Sequence, residues 1–117
     1  MIELATHIER WELNEPFVTA RDASTHVPVL VVQLTDAGGQ RGWAEAAGVD
    51  YDGETPESMA AQVTALRGAL HDRLTGTELL DLLPAGGARN AVDCALWDLR
   101  AKEAGVPAWR LAGLPAP

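Results

Sequence analysis

Apolar and polar residues alternate in the first half of the chain, which predicts strands. Residues 2–13 fit one strand with a bulge or bend near Glu9, where the alternation changes phase. Residues 14–16 form a turn cluster, and the polar stretch 19–26 has no period, which predicts a loop. Residues 27–35 are rich in β-branched side chains and predict a second strand. Pro28 lacks a backbone N–H, which places it at the strand's end or on an edge.

Residues 36–39 contain two glycines and predict a tight reversal, after which residues 41–47 return as a third strand. The first half is therefore predicted to be a three-stranded antiparallel meander.

From Thr55 onward the apolar residues recur at three- and four-residue spacing. Thr55 can cap a helix and Pro56 suits its first position, which predicts a helix to about His71. A short helix is predicted over 77–83, and a third begins near Gly87 and closes at Gly105. Strands followed by three to four helices indicate an α+β fold with the helices on one face of the sheet.

Composition and charge exclude several classes of function. Nine basic against 17 acidic residues give a formal charge of -8, which disfavours nucleic-acid binding. No segment approaches the roughly 20 apolar residues of a membrane span, and no secretory signal precedes the first strand, so we expect a cytoplasmic protein. Cys94 is the only cysteine, and its place in an apolar helical pattern predicts packing rather than reactivity.

Several polar clusters have the composition of a binding site, but their spacing favours structural roles. Residues 84–90 are glycine-rich and open a helix, but they match no phosphate-binding motif, so we expect a tightly packed helix start. Four carboxylates at positions 45, 50, 52 and 54 lack the spacing of a calcium loop and predict a solvated acidic loop. The three histidines are dispersed, and neither serine has a nucleophile context.

The sequence pattern does not decide the role of Arg21. It lies in a polar loop between two strands, where a fixed guanidinium could bind a carboxylate bidentately or could be a surface arginine. Tyr51 has the same ambiguity on its own loop. Lys102 is the only lysine, because eight of the nine basic residues are arginine, and it can pair with Asp98 one helical turn away.

Residues 82–105, LLPAGGARNAVDCALWDLRAKEAG, resemble the last helix of the capping domain in the muconate-lactonizing subgroup of the enolase superfamily. The Arg-Asn-Ala-x-Asp-x-Ala-Leu-Trp-Asp-Leu pattern of that helix begins here at Arg89. Residues 42–46 resemble the Gly-x-Gly-Glu-Ala strand of the family, with Ala44 in place of the second glycine. Residues 51–58 and 16–21 are most similar to the Ala-Glu dipeptide epimerases.

This resemblance implies a capping domain over residues 1–113, with residues 114–117 beginning the connection to a (β/α)8 barrel that lies outside this chain. Two cap loops, at about 19–25 and 49–53, would line the active site. Thr19, Arg21 and Tyr51 are then the expected substrate-binding residues, with Arg21 binding the side-chain carboxylate of an acidic dipeptide. The segment His26-Val27-Pro28 departs from the family pattern after the first loop.

In this family the barrel supplies two lysines and the carboxylates that hold Mg²⁺. With one lysine, this chain is expected to contain no catalytic residue and no metal ligand, and to be inactive alone. The alternatives are a free-standing domain that binds a partner protein or associates with itself as a homo-oligomer, and the cap of another family enzyme. Such enzymes include a cycloisomerase, an N-acylamino acid racemase and an o-succinylbenzoate synthase.

Overall fold

A computed structural model describes all 117 residues and places three strands before four helices. The strands are β1 (Glu3–Val18), β2 (Ala23–Thr35) and β3 (Arg41–Ala46). They form one antiparallel sheet in the order β1-β2-β3. The predicted meander is confirmed.

The helices are α1 (Pro56–Thr64), α2 (Gly76–Leu82), α3 (Gly87–Ala104) and α4 (Ala108–Leu111). Short 3₁₀ turns occur at Asp50–Asp52 and Arg67–Ala69. Alternate residues of β2 and one face of α3 form a continuous apolar core, so the helices cover one face of the sheet. The α+β class is confirmed. The main members of this core are Leu30, Val32, Leu34, Met59, Val63, Leu79, Ala91, Val92, Ala95 and Leu99.

Gly42 sets the distance between β3 and α3. A Cβ at this position would lie 2.1 Å from the carbonyl oxygen of Ala95 and 2.6 Å from the backbone nitrogen of Leu99. Because only hydrogen fits there, the glycine lets the strand and the helix backbone approach directly.

The first helix begins as predicted but ends earlier. Thr55 and Ser58 form a reciprocal capping box, in which each backbone N–H donates to the other's hydroxyl at 2.9 to 3.0 Å. The helix ends at Thr64 rather than near His71, and the chain continues through the 3₁₀ turn around Gly68, a residue with poor helix propensity. Leu66 and Leu70 are nevertheless buried, so the apolar pattern located the core residues correctly.

The hairpin of β1 and β2 is longer than predicted. Glu9 pairs in register with Val29, so the bulge expected there is wrong. The irregularity lies farther along, where residues 13–16 of β1 face only Thr25 of β2. The predicted turn at 14–16 and the second half of the predicted loop, residues 23–26, are therefore strand, whereas residues 19–22 form the connection. Phe17 and Val18 pair with Ser24 and Ala23 beyond the irregularity, and local turn propensity does not reveal such cross-strand pairing.

β3 pairs only with Leu30–Thr35, so the remainder of the β1–β2 hairpin extends beyond the three-stranded sheet as a two-stranded ribbon. Pro28 lies inside β2 opposite Arg10, in this ribbon. Its missing N–H is tolerated because the other edge of β2 has no partner at that point.

Cys94 is exposed on α3, and the prediction that it packs in the core is wrong. The core face of α3 passes through Ala91, Ala95 and Leu99, and Cys94 lies beside it. Partial burial raises the pKa of the Cys94 thiol, and the nearby Asp93 and Glu45 carboxylates raise it further.

Candidate functional site

The ribbon ends in a tight turn that Thr19 organises. The Thr19 N–H donates to the carbonyl oxygen of Asp22 at 2.8 Å. The Thr19 hydroxyl oxygen accepts hydrogen bonds from the backbone N–H groups of Arg21 and Asp22, at 3.3 and 3.1 Å. Threonine hydroxyls often stabilise turns in this way. Arg21 is thereby held at the exposed tip of the hairpin.

The second loop presents Tyr51 on the 3₁₀ turn Asp50–Asp52. The turn ends at Gly53, whose φ of 79° lies in the left-handed region and whose N–H donates to the carbonyl oxygen of Asp50. The Tyr51 side chain is 71% exposed. A short backbone turn therefore holds a large aromatic ring at the surface.

The structure brings Arg21 and Tyr51 together, although 30 positions separate them in the chain. The Cζ atom of Arg21 lies over the Tyr51 ring, 5.7 Å from its centroid, which is within cation–π range. The Arg21 guanidinium takes part in none of the side-chain hydrogen bonds or ion pairs of the structure. Its N–H donors are therefore available to a carboxylate, which they can bind bidentately.

Glu54 anchors the second loop, and sequence analysis missed this role. One carboxylate oxygen accepts the Val49 N–H and the other accepts the Gly87 N–H, both at 2.8 Å. The prediction of a fully solvated acidic loop is therefore wrong for Glu54, which is half-buried. The sequence does not reveal this role, because the partners of Glu54 are backbone N–H groups, which every residue type except proline carries.

The glycine-rich start of α3 packs against this glutamate. A Cβ on Gly86 would lie 2.5 Å from Glu54 Oε1, and one on Gly87 would lie 2.4 Å from the sulfur of Met59. The interpretation of residues 84–90 as a packed helix start is confirmed.

No three histidine, cysteine or carboxylate side chains converge anywhere in the structure as metal ligands would. His7 lies beside Glu9 at 3.0 Å and His71 beside Glu78 at 3.4 Å, on separate elements. Magnesium is bound through carboxylate oxygens, with water completing its octahedral shell.

The only lysine is engaged in a structural contact. Lys102 Nζ lies 2.6 Å from Asp98 Oδ2, which confirms the predicted pair, and it also donates to the carbonyl oxygen of Arg41 at 2.8 Å.

None of the helices is both long and apolar enough to cross a membrane.

A groove of about 1090 Å³ separates α2 from α3 and α4. Its apolar side chains include Leu80, Trp97 and Leu111, which are 58%, 43% and 38% exposed. Exposed apolar side chains in one groove indicate a contact surface.

Known proteins share this sequence and fold. Residues 1–113 match the family model described as mandelate racemase / muconate lactonizing enzyme, N-terminal domain. The chain is 44% identical over 94 residues to the L-Ala-D/L-Glu epimerase of Escherichia coli (strain K12), an alignment that covers 80% of this chain and 29% of that protein.

Two solved structures extend the comparison. One is an enolase family member from Agrobacterium tumefaciens with homology to dipeptide epimerases, solved with L-Ala-L-Glu. It is 35% identical to this chain with a TM-score of 0.90, and the match covers 99% of this chain and 36% of that protein. A dipeptide epimerase from Methylococcus capsulatus, complexed with Mg and L-Arg-D-Lys, is 28% identical with a TM-score of 0.76, covering 95% of this chain and 34% of its own. The chain thus spans about a third of the length of these relatives.

The three-stranded meander followed by four helices matches the N-terminal capping domains of the enolase superfamily. The chain belongs to the mandelate racemase / muconate lactonizing enzyme N-terminal domain family, and within it to the N-terminal domains of dipeptide epimerase-like enzymes.

Proposed function

We propose that this chain is the substrate-binding cap of a Mg²⁺-dependent epimerase for dipeptides that contain an acidic residue. Residues 1–113 form the cap, and residues 114–117 begin the connection to a barrel. The observation that carries the proposal is the Arg21 guanidinium, which is exposed at the hairpin tip, held over Tyr51 and free of any carboxylate of its own. The relatives named for L-Ala-D/L-Glu and solved with L-Ala-L-Glu support the substrate class.

The chemistry belongs to the barrel in this proposal. The resemblance implies a two-base route with one lysine on each face of the α-carbon, and the single lysine of this chain is paired with Asp98. The metal ligands also lie outside the chain, because its own residues gather no such set. This chain contributes the binding of the substrate's side-chain carboxylate and the exclusion of water above the site.

The groove beside α3 is the surface on which such a barrel would pack. It is apolar at Leu80, Trp97 and Leu111, and charged at its margin through Arg89 and Glu103. An apolar centre with a polar rim is the usual composition of a domain interface.

Proton exchange into the substrate tests the proposal. The purified chain should incorporate no deuterium at the α-carbon of L-Ala-D-Glu in D₂O with Mg²⁺. The same chain joined to the barrel of a dipeptide epimerase relative should incorporate it, and Arg21→Ala in the joined protein should lose most of this activity. Exchange catalysed by the chain alone would overturn the proposal.

The same groove also favours the second candidate, a free-standing domain that associates with itself. Trp97→Ser discriminates between the two. A cap predicts that this change impairs the joined enzyme, whereas a self-associating module predicts that it converts a stable dimer of the isolated chain into a monomer.

A further inference from the structure

A series of contacts connects the start of α3 to the tip of the β1–β2 hairpin. The Gly87 N–H and the Val49 N–H both donate to the carboxylate of Glu54, each at 2.8 Å. Val49 precedes the turn that carries Tyr51, and the Tyr51 ring lies under the Arg21 guanidinium at 5.7 Å. The position of Arg21 therefore depends on groups that are remote from it in the sequence.

The backbone of the second loop reinforces this connection. The N–H groups of Asp52 and Glu54 both donate to the carbonyl oxygen of Val49, at 3.0 and 3.2 Å. Val49 thus has both its N–H and its carbonyl engaged, so the turn is fixed at its base to Glu54 and through Glu54 to α3.

We propose that Glu54 and Tyr51 are positioning residues for Arg21: Glu54 fixes the second loop against α3, and the Tyr51 ring fixes the guanidinium on the first loop. The proposal rests on the proposed function only for the ligand that Arg21 binds. The contacts themselves are properties of this chain.

An aromatic ring suits this role better than a carboxylate would. A carboxylate would neutralise the guanidinium and occupy its N–H donors, so an acidic substrate would have to displace it. The face of a tyrosine ring attracts the cation through its quadrupole and leaves the N–H donors free. Restricting the long arginine side chain before binding also reduces the entropy that binding must overcome.

Nuclear magnetic resonance of the isolated chain tests the contact between the loops. The Arg21 side-chain protons should be shifted upfield by the ring current of Tyr51. This shift should persist in Tyr51→Phe and disappear in Tyr51→Leu. An Arg21 spectrum that is the same in wild type and Tyr51→Leu would overturn the proposal.

A matched pair of variants tests Glu54. Glu54→Gln should reduce the upfield shift of Arg21 and change the amide resonances of Val49 and Gly87. Asp52→Asn lies in the same loop, and its side chain makes no hydrogen bond in the structure, so it should change neither. If Glu54→Gln prevents folding, amide hydrogen exchange in the wild type tests the Glu54 contacts: the Val49 and Gly87 N–H groups should exchange slowly, and rapid exchange at both contradicts the proposal.

Kinetics separate this inference from the proposed function. In the chain joined to a barrel, Tyr51→Leu should raise KM for an acidic dipeptide about two- to fivefold and leave kcat unchanged, and Tyr51→Phe should restore KM. If the ring-current contact is present but Arg21→Ala has no effect on acidic dipeptides, the positioning of Arg21 stands and the proposed substrate class fails. If Arg21→Ala impairs activity on acidic dipeptides but the ring-current contact is absent, the proposed substrate class stands and the positioning of Arg21 fails.

Discussion

The carboxylate of Asp98 accepts a hydrogen bond from the backbone N–H of Trp43 at 2.8 Å, across 55 positions of the chain. The same oxygen lies 2.6 Å from Lys102, whose ammonium group donates to the carbonyl oxygen of Arg41. Arg41 and Trp43 belong to β3, an edge strand, so two side chains of α3 satisfy backbone groups that have no strand partner. The pair joins the sheet to the helix.

This contact predicts that Asp98→Ala destabilises the chain by about 1–2 kcal/mol, because it removes a charged acceptor from a backbone N–H. Asp98→Asn keeps an acceptor and should cost less. Chemical denaturation of the two variants measures the difference. Equal stability of wild type and Asp98→Ala would show that water replaces the contact without loss.

Gly42→Ala should be among the most destabilising single changes in the chain. Its Cβ would overlap the backbone of α3 at Ala95, and such overpacking costs about 1–3 kcal/mol or more. Gly68→Ala is the matched control, since a Cβ there has no atom within 4 Å. Thermal unfolding should show a large loss for Gly42→Ala and little or no loss for Gly68→Ala. Similar melting temperatures for both would mean that the helix shifts to accept the methyl group.

Glu78 should make stability depend on acid pH. Hydrogen bonds from the backbone N–H and hydroxyl of Thr75 lower the pKa of Glu78 below its ordinary 4.5, with a further contribution from His71. The unfolded chain therefore takes up this proton before the folded chain does, and the stabilisation is lost as the pH falls below 4.5 through the lower folded value.

Urea unfolding at neutral pH and at steps below pH 4.5 measures this effect. Glu78→Gln should flatten the fall in stability, whereas Glu15→Gln, on an exposed part of β1 and without a hydrogen bond, should leave it unchanged. An identical pH dependence for wild type and Glu78→Gln would rule out this carboxylate as a contributor.

Arg21→Ala in an active joined enzyme should raise KM for acidic dipeptides by about tenfold or more, because a charged bidentate contact is lost. Neutral dipeptides should be affected much less. Steady-state kinetics with both substrate types provide the comparison. Equal effects on the two would count against a carboxylate-binding role for Arg21.

Cys94 should react slowly with iodoacetamide in spite of its exposure. Partial burial and the neighbouring carboxylates raise the pKa of its thiol above the ordinary 9.0, so little thiolate forms in the folded chain near neutral pH. Mass spectrometry should show faster alkylation in denaturant than in the folded state at the same pH. Asp93→Asn should increase the folded rate, and faster reaction of the folded wild type would contradict the prediction.

The order of the elements could be predicted from the sequence because each has a strong local pattern. The stripe of α3 and the alternation of β2 identified the main core residues, and the capping residues of α1 identified its first turn. The long hairpin could not be predicted in this way. Its strand residues 13–18 and 23–26 have weak alternation, and the hairpin is extended by cross-strand pairs such as Phe17–Ser24 and Val18–Ala23, which local patterns do not reveal.

The candidate site was only partly predictable for a similar reason. Arg21 and Tyr51 were found as exposed residues on two loops, but their contact depends on the fold that brings the loops together. Glu54 resembled its solvated acidic neighbours, and only the tertiary structure shows that both its oxygens bind backbone N–H groups.

The two-stranded ribbon that carries Arg21 continues for about 20 Å beyond Leu30, the residue of β2 at which pairing with β3 stops. Its tip contributes no side chain to the apolar core. Substitutions at the tip should therefore have little effect on the stability of the fold, because the core residues of the hairpin lie at its other end. A few substitutions at the tip of the ribbon could therefore change the ligand preference during evolution without altering the apolar core.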